Sequence, residues 1–157
     1  MNDLMMPEWM KKKQEQTELA EANREAAKQR EIAAHTLIQL KAPDFWRRLK
    51  EQLAIAVEFL PKLNLEGQIT DMFGSLRVSM RCPGVFPNQT YTDLSLQPRS
   101  IHCTTLNGGS YDLIFSTYSD TEICVLEGNT YTPPLNPEEA TKLILEKMMG
   151  IIRKQGG

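Results

Sequence analysis

The sequence predicts an α+β fold: a long N-terminal helical arm, an amphipathic helix, an antiparallel meander of about five strands and a C-terminal helix packed on one sheet face. Residues 8–41 are rich in strong helix formers and contain neither Gly nor Pro. Apolar residues recur every three or four positions across residues 44–60, and they alternate with polar residues from 75 to 127. The 157 residues are therefore predicted to form an arm, residues 1–41, and a single α+β domain, residues 42–157.

The arm carries a thin apolar seam. Its best heptad pattern is Leu19, Ala22, Ala26, Gln29, Ala33, Thr36 and Leu40. Most of these residues are small or polar, whereas two-stranded coiled coils favour Ile, Val and Leu at such positions. We expect self-association or pairing with a protein partner, a homodimer being one form, through Leu19, Ala22, Ala26, Ala33 and Leu40. The alternatives are a monomeric, solvated helix and an arm whose last turns dock on the domain.

The next predicted element is an amphipathic helix over residues 44–60. Its apolar stripe consists of Trp46, Leu49, Leu53, Ala56 and Leu60, widened by Phe45, Val57 and Phe59. Pro43 predicts a break or kink where the arm leaves the domain, and Pro61 predicts the end of the helix. We expect this stripe to pack on the sheet.

Alternation predicts five strands, over residues 75–82, 90–97, 100–106, 111–118 and 121–127, with a further short strand at 68–73 as an alternative. Pro83-Gly84 and Pro87-Asn88 lie in one predicted loop, and Asn107-Gly108-Gly109 is the strongest hairpin turn. Short connections of this kind indicate a meander, with one face covered and the other exposed to water.

A third, C-terminal helix is predicted to begin at Asn136-Pro137 and to run to about residue 153. Asn136 suits the capping position, Pro137 suits the first turn, and Glu138 and Glu139 are acids in the first turn. Its apolar residues cover more than half the circumference, so we expect it to bury one side on the sheet and another on a neighbouring helix.

The outer sheet face is predicted to carry a polar patch, which consists of Arg77, Arg81, Asp93, His102 and Asp112. If their strands are neighbours, these side chains form a mixed-charge surface that could bind a polar partner. The alternative is an ordinary solvated face. RNA-binding sheets carry exposed aromatic residues flanked by basic ones, and this patch is too weakly basic for that function.

No catalytic, metal or cofactor motif is recognisable in the sequence. Cys82, Cys103 and Cys124 are each 21 residues apart, but zinc sites favour close pairs, and regular strand spacing gives the same interval. His102 and Cys103 are adjacent in a strand, so their side chains point to opposite faces. We therefore expect no enzymatic activity, no cofactor and no bound metal.

The composition favours a protein partner over other partner classes. The formal net charge is −2, which does not favour nucleic-acid binding, and no segment is apolar enough to span a membrane. An odd number of cysteines without a secretory signal favours a cytoplasmic location. We expect a non-enzymatic protein-interaction module. The alternative is a small-molecule or lipid-binding domain with an apolar pocket between sheet and helices, lined in part by Met148 and Met149.

Overall fold

The computed structural model describes residues 5–72, 74–84, 88–128 and 133–156, without the side chains of residues 154–156. Parts of the predicted 83–88 loop and of the linker before the last helix therefore lie outside the described residues. The elements are helix α1 (Glu8–Phe59), a 3-10 helix (Leu60–Leu63), strands β1 (Glu66–Met72), β2 (Ser75–Arg81), β3 (Gln89–Leu96), β4 (Ser100–Thr105), β5 (Gly109–Thr117) and β6 (Ile123–Glu127), and helix α2 (Pro137–Gly156). Internal contacts divide the chain into two units, Met1–Thr36 and Leu37–Gly157.

Helix α1 continues through Pro43 for 52 residues, so the predicted break at this proline is wrong. A proline inside a helix removes one hydrogen bond to the preceding turn and costs about 3 kcal/mol. Here the neighbouring residues Ala42 and Phe45 are both buried in the core. Their packing fixes the backbone on each side of the proline and offsets the lost bond. The helix ends at Phe59, two residues before Pro61, close to where the sequence predicts its end.

The buried stripe of α1 lies slightly to one side of the predicted one. Phe45, Leu49 and Leu53 are buried, as is Leu60 at the start of the 3-10 helix, whereas Trp46 is only partly buried. The ring of Phe45 meets the ring of Phe115 edge-on, with 5.7 Å between centroids. Phe45, Leu49 and Leu53 therefore place the second half of α1 in the core that covers the sheet.

The described strands form a six-stranded antiparallel sheet in the order β1-β2-β3-β4-β5-β6, a meander in which each strand pairs with the next. The sixth strand is β1, which the sequence indicates only as an alternative. The inner face is apolar and buried, and includes Leu76, Val78, Leu94, Ile101, Leu113 and Val125. The predicted hairpin joins β4 to β5, where Asn107 and Gly109 have φ of 66° and 77°.

Helix α2 begins as predicted, with a reciprocal cap. Asn136 Oδ1 accepts a hydrogen bond from Glu139 N at 2.8 Å, and Glu139 Oε1 accepts one from Asn136 N at 3.1 Å. The helix buries Ile144, Met148 and Ile152 in the same core as α1. Two helices thus cover one sheet face. No helix among the described residues is long and apolar enough to cross a membrane.

Candidate functional site

All five residues of the predicted polar patch lie on strands of the outer sheet face, where the strand register places each beside a hydrogen-bonding partner on the next strand. Arg77 is the direct cross-strand neighbour of Asp93. Arg77 Nε lies 2.7 Å from Asp93 Oδ1, and Nη2 lies 2.9 Å from Oδ2, a bidentate pair. This carboxylate, as a hydrogen-bond acceptor, raises the pKa of Arg77 above its usual value.

The other three patch residues form two separate pairs. His102 Nδ1 lies 2.7 Å from Asp112 Oδ1 across the β4–β5 ladder. Arg81 Nε lies 2.6 Å from Glu66 Oε2 on β1, a residue outside the predicted patch. The patch therefore consists of two arginine–carboxylate ion pairs and one histidine–aspartate hydrogen bond, and not of a concentrated field of one sign. Such a surface can donate and accept hydrogen bonds, but it offers little attraction for a highly charged ligand.

Tyr91 and Thr104 extend the patch beyond the residues predicted from sequence. The Arg77 guanidinium lies over the Tyr91 ring, 4.0 Å from its centroid, and Tyr91 is two residues before Asp93 on the same face. Thr104 Oγ1 lies 3.2 Å from His102 Nε2. Tyr91 and Thr104 each lie two residues from a predicted patch residue on the same strand, so strand alternation could have predicted both. The contact of Arg81 with Glu66 could not be predicted in this way, because it depends on the pairing of β1 with β2.

The three cysteines are free thiols, and two of them are buried. Burial raises the pKa of the Cys103 thiol to about 12, and burial also raises that of Cys124. Both therefore stay protonated at neutral pH and are poor nucleophiles. No group of three or more His, Cys, Asp or Glu within the described part of the chain is placed to hold a metal ion.

A second polar cluster, which sequence analysis missed, lies on the inner face between β5, β6 and α2. Lys147 Nζ is 2.8 Å from Glu127 Oε1 and 4.7 Å from the centroid of the Tyr111 ring. Burial raises the pKa of the Tyr111 hydroxyl. In the sequence, Lys147 follows Glu146 and resembles any polar residue on the exposed side of a helix. The hydrophobic periodicity therefore does not predict its contacts with the sheet.

The five residues of the predicted interaction surface all lie on helix α1. Leu19 is 62% exposed and Leu40 is 70% exposed, and Ala22, Ala26 and Ala33 are exposed as well. Leu19 and the alanines belong to the first unit, Met1–Thr36, and Leu40 belongs to the second. Within the first unit, every residue from position 12 to position 33 is exposed.

A cleft of about 450 Å³ lies in the second unit, at the end of the helix–sheet core. Its lining is mainly apolar and includes Met149, one of the two methionines that the sequence proposes for a pocket. Asn88 is only 7% exposed, and its Oδ1 has no hydrogen-bond partner among the described residues. The lining consists of Leu63, Asn64, Leu65, Cys82, Asn88, Met149, Ile152 and Arg153.

Comparison with known proteins gives no relative for this chain. No protein-family model matches it, and neither a curated protein nor a solved structure is significantly similar to it. Any function must therefore be argued from the residues and contacts described above.

Proposed function

We propose that this protein is a non-enzymatic interaction module that self-associates through the helical arm, residues 8–41. The observation that carries the proposal is the continuous exposure of residues 12–33 within a regular helix. Most helices in proteins gain their stability by burying an apolar stripe. This segment has such a stripe, though a thin one, and no described residue of its own unit covers it.

Among residues 5–41, the part of the arm that the structure describes, there are no internal ion pairs of the kind that stabilise a solvated helix. Its side-chain contacts are hydrogen bonds such as Gln14 Nε2 to Glu18 Oε1 at 3.2 Å and Gln29 Nε2 to Glu25 Oε1 at 3.1 Å. Among the described residues of the arm, no acidic side chain forms a salt bridge with a basic one. Composition and a few side-chain hydrogen bonds support the helix, and a second helix against the seam would add packing.

A second copy of the chain is the simplest partner, because each copy presents the same uncovered seam. Ala22, Ala26 and Ala33 are small, so two helix backbones can approach closely along the middle of the seam. Leu19 and Leu40 provide larger apolar side chains at its ends. The small contact area predicts a weak dimer, one that forms at micromolar or higher concentrations.

Sedimentation equilibrium on the full chain tests this proposal. We expect a monomer–dimer equilibrium in the unmodified chain and a monomer in Ala26→Glu, which places two charges in the seam. Ala27→Glu is the matched control, because position 27 is exposed but lies outside the seam, and it should dimerise like the unmodified chain. A chain that remains monomeric up to about 1 mM, or that is weakened equally by both substitutions, would refute self-association through this surface.

The cleft supports a second candidate function, binding of a small amphiphile. Its volume lies within the range of about 300–1,000 Å³ usual for ligand sites. A buried oxygen without a donor costs free energy, and a ligand hydroxyl could satisfy Asn88 after rotation of its amide. Exposed Arg153 adds a cation beside the apolar walls, so the fitting class is a medium-chain hydroxy acid.

Isothermal titration with 3-hydroxydecanoate tests the second candidate. Met149→Trp should fill the cleft and abolish binding, whereas Ile114→Trp, on the outer sheet face, should leave binding unchanged. If the unmodified chain takes up no ligand at millimolar concentration, the cleft is not a site for this class of molecule.

A further inference from the structure

The charged residues that flank the seam favour one relative orientation and register of two paired arms. Taking Leu19 as heptad position a makes Ala26 and Ala33 the next two a positions, and Ala22 and Gln29 d positions. The polar g positions beside the seam are then Lys11, Glu18 and Glu25, followed by the apolar Ile32. The polar e positions are Gln16, Asn23 and Arg30, followed by the apolar Leu37. Residues at e and g contact the partner helix and set orientation in coiled coils.

We infer that two arms pair in parallel and in register, with Glu25 of each copy beside Arg30 of the other. This inference rests on the proposed self-association and specifies its geometry. In a parallel, in-register pair, each g residue lies beside the e residue five positions later in the other helix. The resulting neighbours are Lys11 with Gln16, Glu18 with Asn23 and Glu25 with Arg30, so no like charges meet.

The antiparallel alternatives are less favourable for this sequence. In an antiparallel pair, g residues face g residues and e residues face e residues. Two antiparallel registers place Glu25 beside Glu25, or Glu18 beside Glu25. Like charges at these positions disfavour a pairing, which is how natural coiled coils exclude the wrong orientation. A third register, centred near position 27, places Glu25 beside Ile32 and Asn23 beside Arg30, so it brings no opposite charges together.

The side chains of Glu25 and Arg30 are placed to make this contact. Both are exposed, and neither forms a salt bridge with a described residue of its own chain. Within one helix they are five residues apart and so lie on different sides of it, which rules out an intrahelical pair. Glu25 accepts a hydrogen bond from Gln29 within its own chain, but no described residue gives Glu25 or Arg30 an oppositely charged partner, so a second chain would supply the ion pair.

Gln29 contributes a second determinant of register. It occupies a d position, and in a parallel, in-register pair the two Gln29 amides meet across the seam. Nε2 of each amide donates one hydrogen bond to Glu25 of its own chain, which leaves a second N–H donor and the Oε1 acceptor for the other amide, so the pair is self-complementary. A single polar residue in the seam commonly fixes the register of a coiled coil at some loss of stability.

Disulfide crosslinking of the full chain distinguishes the orientations. Leu19→Cys and Ala33→Cys are prepared separately in a Cys82→Ser background, because Cys103 and Cys124 are buried. The two engineered sites are 14 residues apart, about 21 Å along a helix. A parallel, in-register dimer allows both variants to form homodimeric disulfides, whereas an antiparallel dimer allows at most one to do so. Ala20→Cys, outside the seam, measures random crosslinking.

Charge reversal tests the proposed pair independently. By sedimentation, Glu25→Arg and Arg30→Glu should each weaken dimerisation about five- to tenfold at low salt, and the double variant should recover to within about twofold of the unmodified chain.

Crosslinks between the Leu19→Cys and Ala33→Cys variants in a mixture, without homodimeric ones, would overturn the parallel orientation but leave self-association standing. A dimer in which none of these disulfides forms, or in which charge reversal has no effect, would overturn the register. A monomer at all concentrations would overturn both inferences.

Discussion

The two halves of helix α1 share a backbone geometry but differ in what surrounds their side chains. In the second half, Phe45, Leu49 and Leu53 are buried against the sheet. In the first half, residues 12–33 are all exposed, and the apolar seam consists of small residues between two leucines. The contrast indicates two sources of stability: the second half is held by its own domain, and the first half, in our proposal, by another copy of the chain.

Truncation of a large buried side chain should give the largest change in the free energy of unfolding. Only truncations in the second half of α1 should have this effect. Leu49 and Leu53 are completely buried, so Leu49→Ala should lower the free energy of unfolding of the second unit by about 2–5 kcal/mol. The comparable change in the arm, Leu19→Ala, should alter it by no more than about 0.5 kcal/mol. Urea denaturation monitored by tryptophan fluorescence measures both. Equal losses would mean that the two halves are not energetically distinct.

Replacing Gln29, the polar residue in the middle of the seam, with an apolar residue should strengthen dimerisation through the arm without changing the stability of the second unit. We expect Gln29→Leu to lower the dimer dissociation constant about tenfold or more and to weaken the preference for one register. Lys28→Leu adds the same side chain at an exposed position outside the seam and serves as the control. Sedimentation equilibrium decides between them. If Lys28→Leu strengthens association as much, the gain is non-specific hydrophobic association and the seam is wrongly placed.

Alkaline pH should produce the smallest effect, again only in the second unit. The pKa of Cys103 is raised from 9.0 to about 12 by burial, so the folded state holds its proton more tightly than the unfolded state does. This contribution to stability is fully present below pH 9 and is lost as the pH rises towards 12. By pH 9.5 the loss from Cys103 should reach about 1 kcal/mol, and the raised pKa of Tyr111 acts in the same direction.

Urea midpoints at pH 8 and pH 9.5 measure this loss. Cys103→Ala should remove the part that belongs to the thiol, although the variant is less stable at both pH values. An unchanged pH dependence in that variant would contradict the assignment to Cys103.

The sequence predicted the α+β class, the meander and the start of α2 because each has a local cause. Alternation marks a half-buried strand, and Asn136 with Glu139 forms a cap within four residues. The predicted break at Pro43 was wrong because the sequence shows only the lost backbone hydrogen bond. The packing of Ala42 and Phe45 that offsets this loss depends on the tertiary structure. β1 gave a weak signal because Gly67 and Asp71 occupy inner-face positions where apolar residues are expected.

The candidate sites were predicted less completely than the fold. Each of the five polar residues lies on the outer face as alternation predicts, but strand pairing decides which charges meet. Glu66 was missed as the partner of Arg81 because their contact needs the register of β1 against β2. Asn88 and Met149 are 61 positions apart in sequence, and only the packed fold places both in one cleft.

Hydrogen exchange along α1 tests the central claim most directly. Residues 12–33 should show protection that increases with protein concentration, because dimerisation stabilises only the state in which that helix is formed. Residues 45–53 should show protection that does not depend on concentration, and Ala26→Glu should remove the dependence from the arm without changing residues 45–53. Protection of residues 12–33 that is the same at all protein concentrations would contradict the claim that a second chain holds the arm.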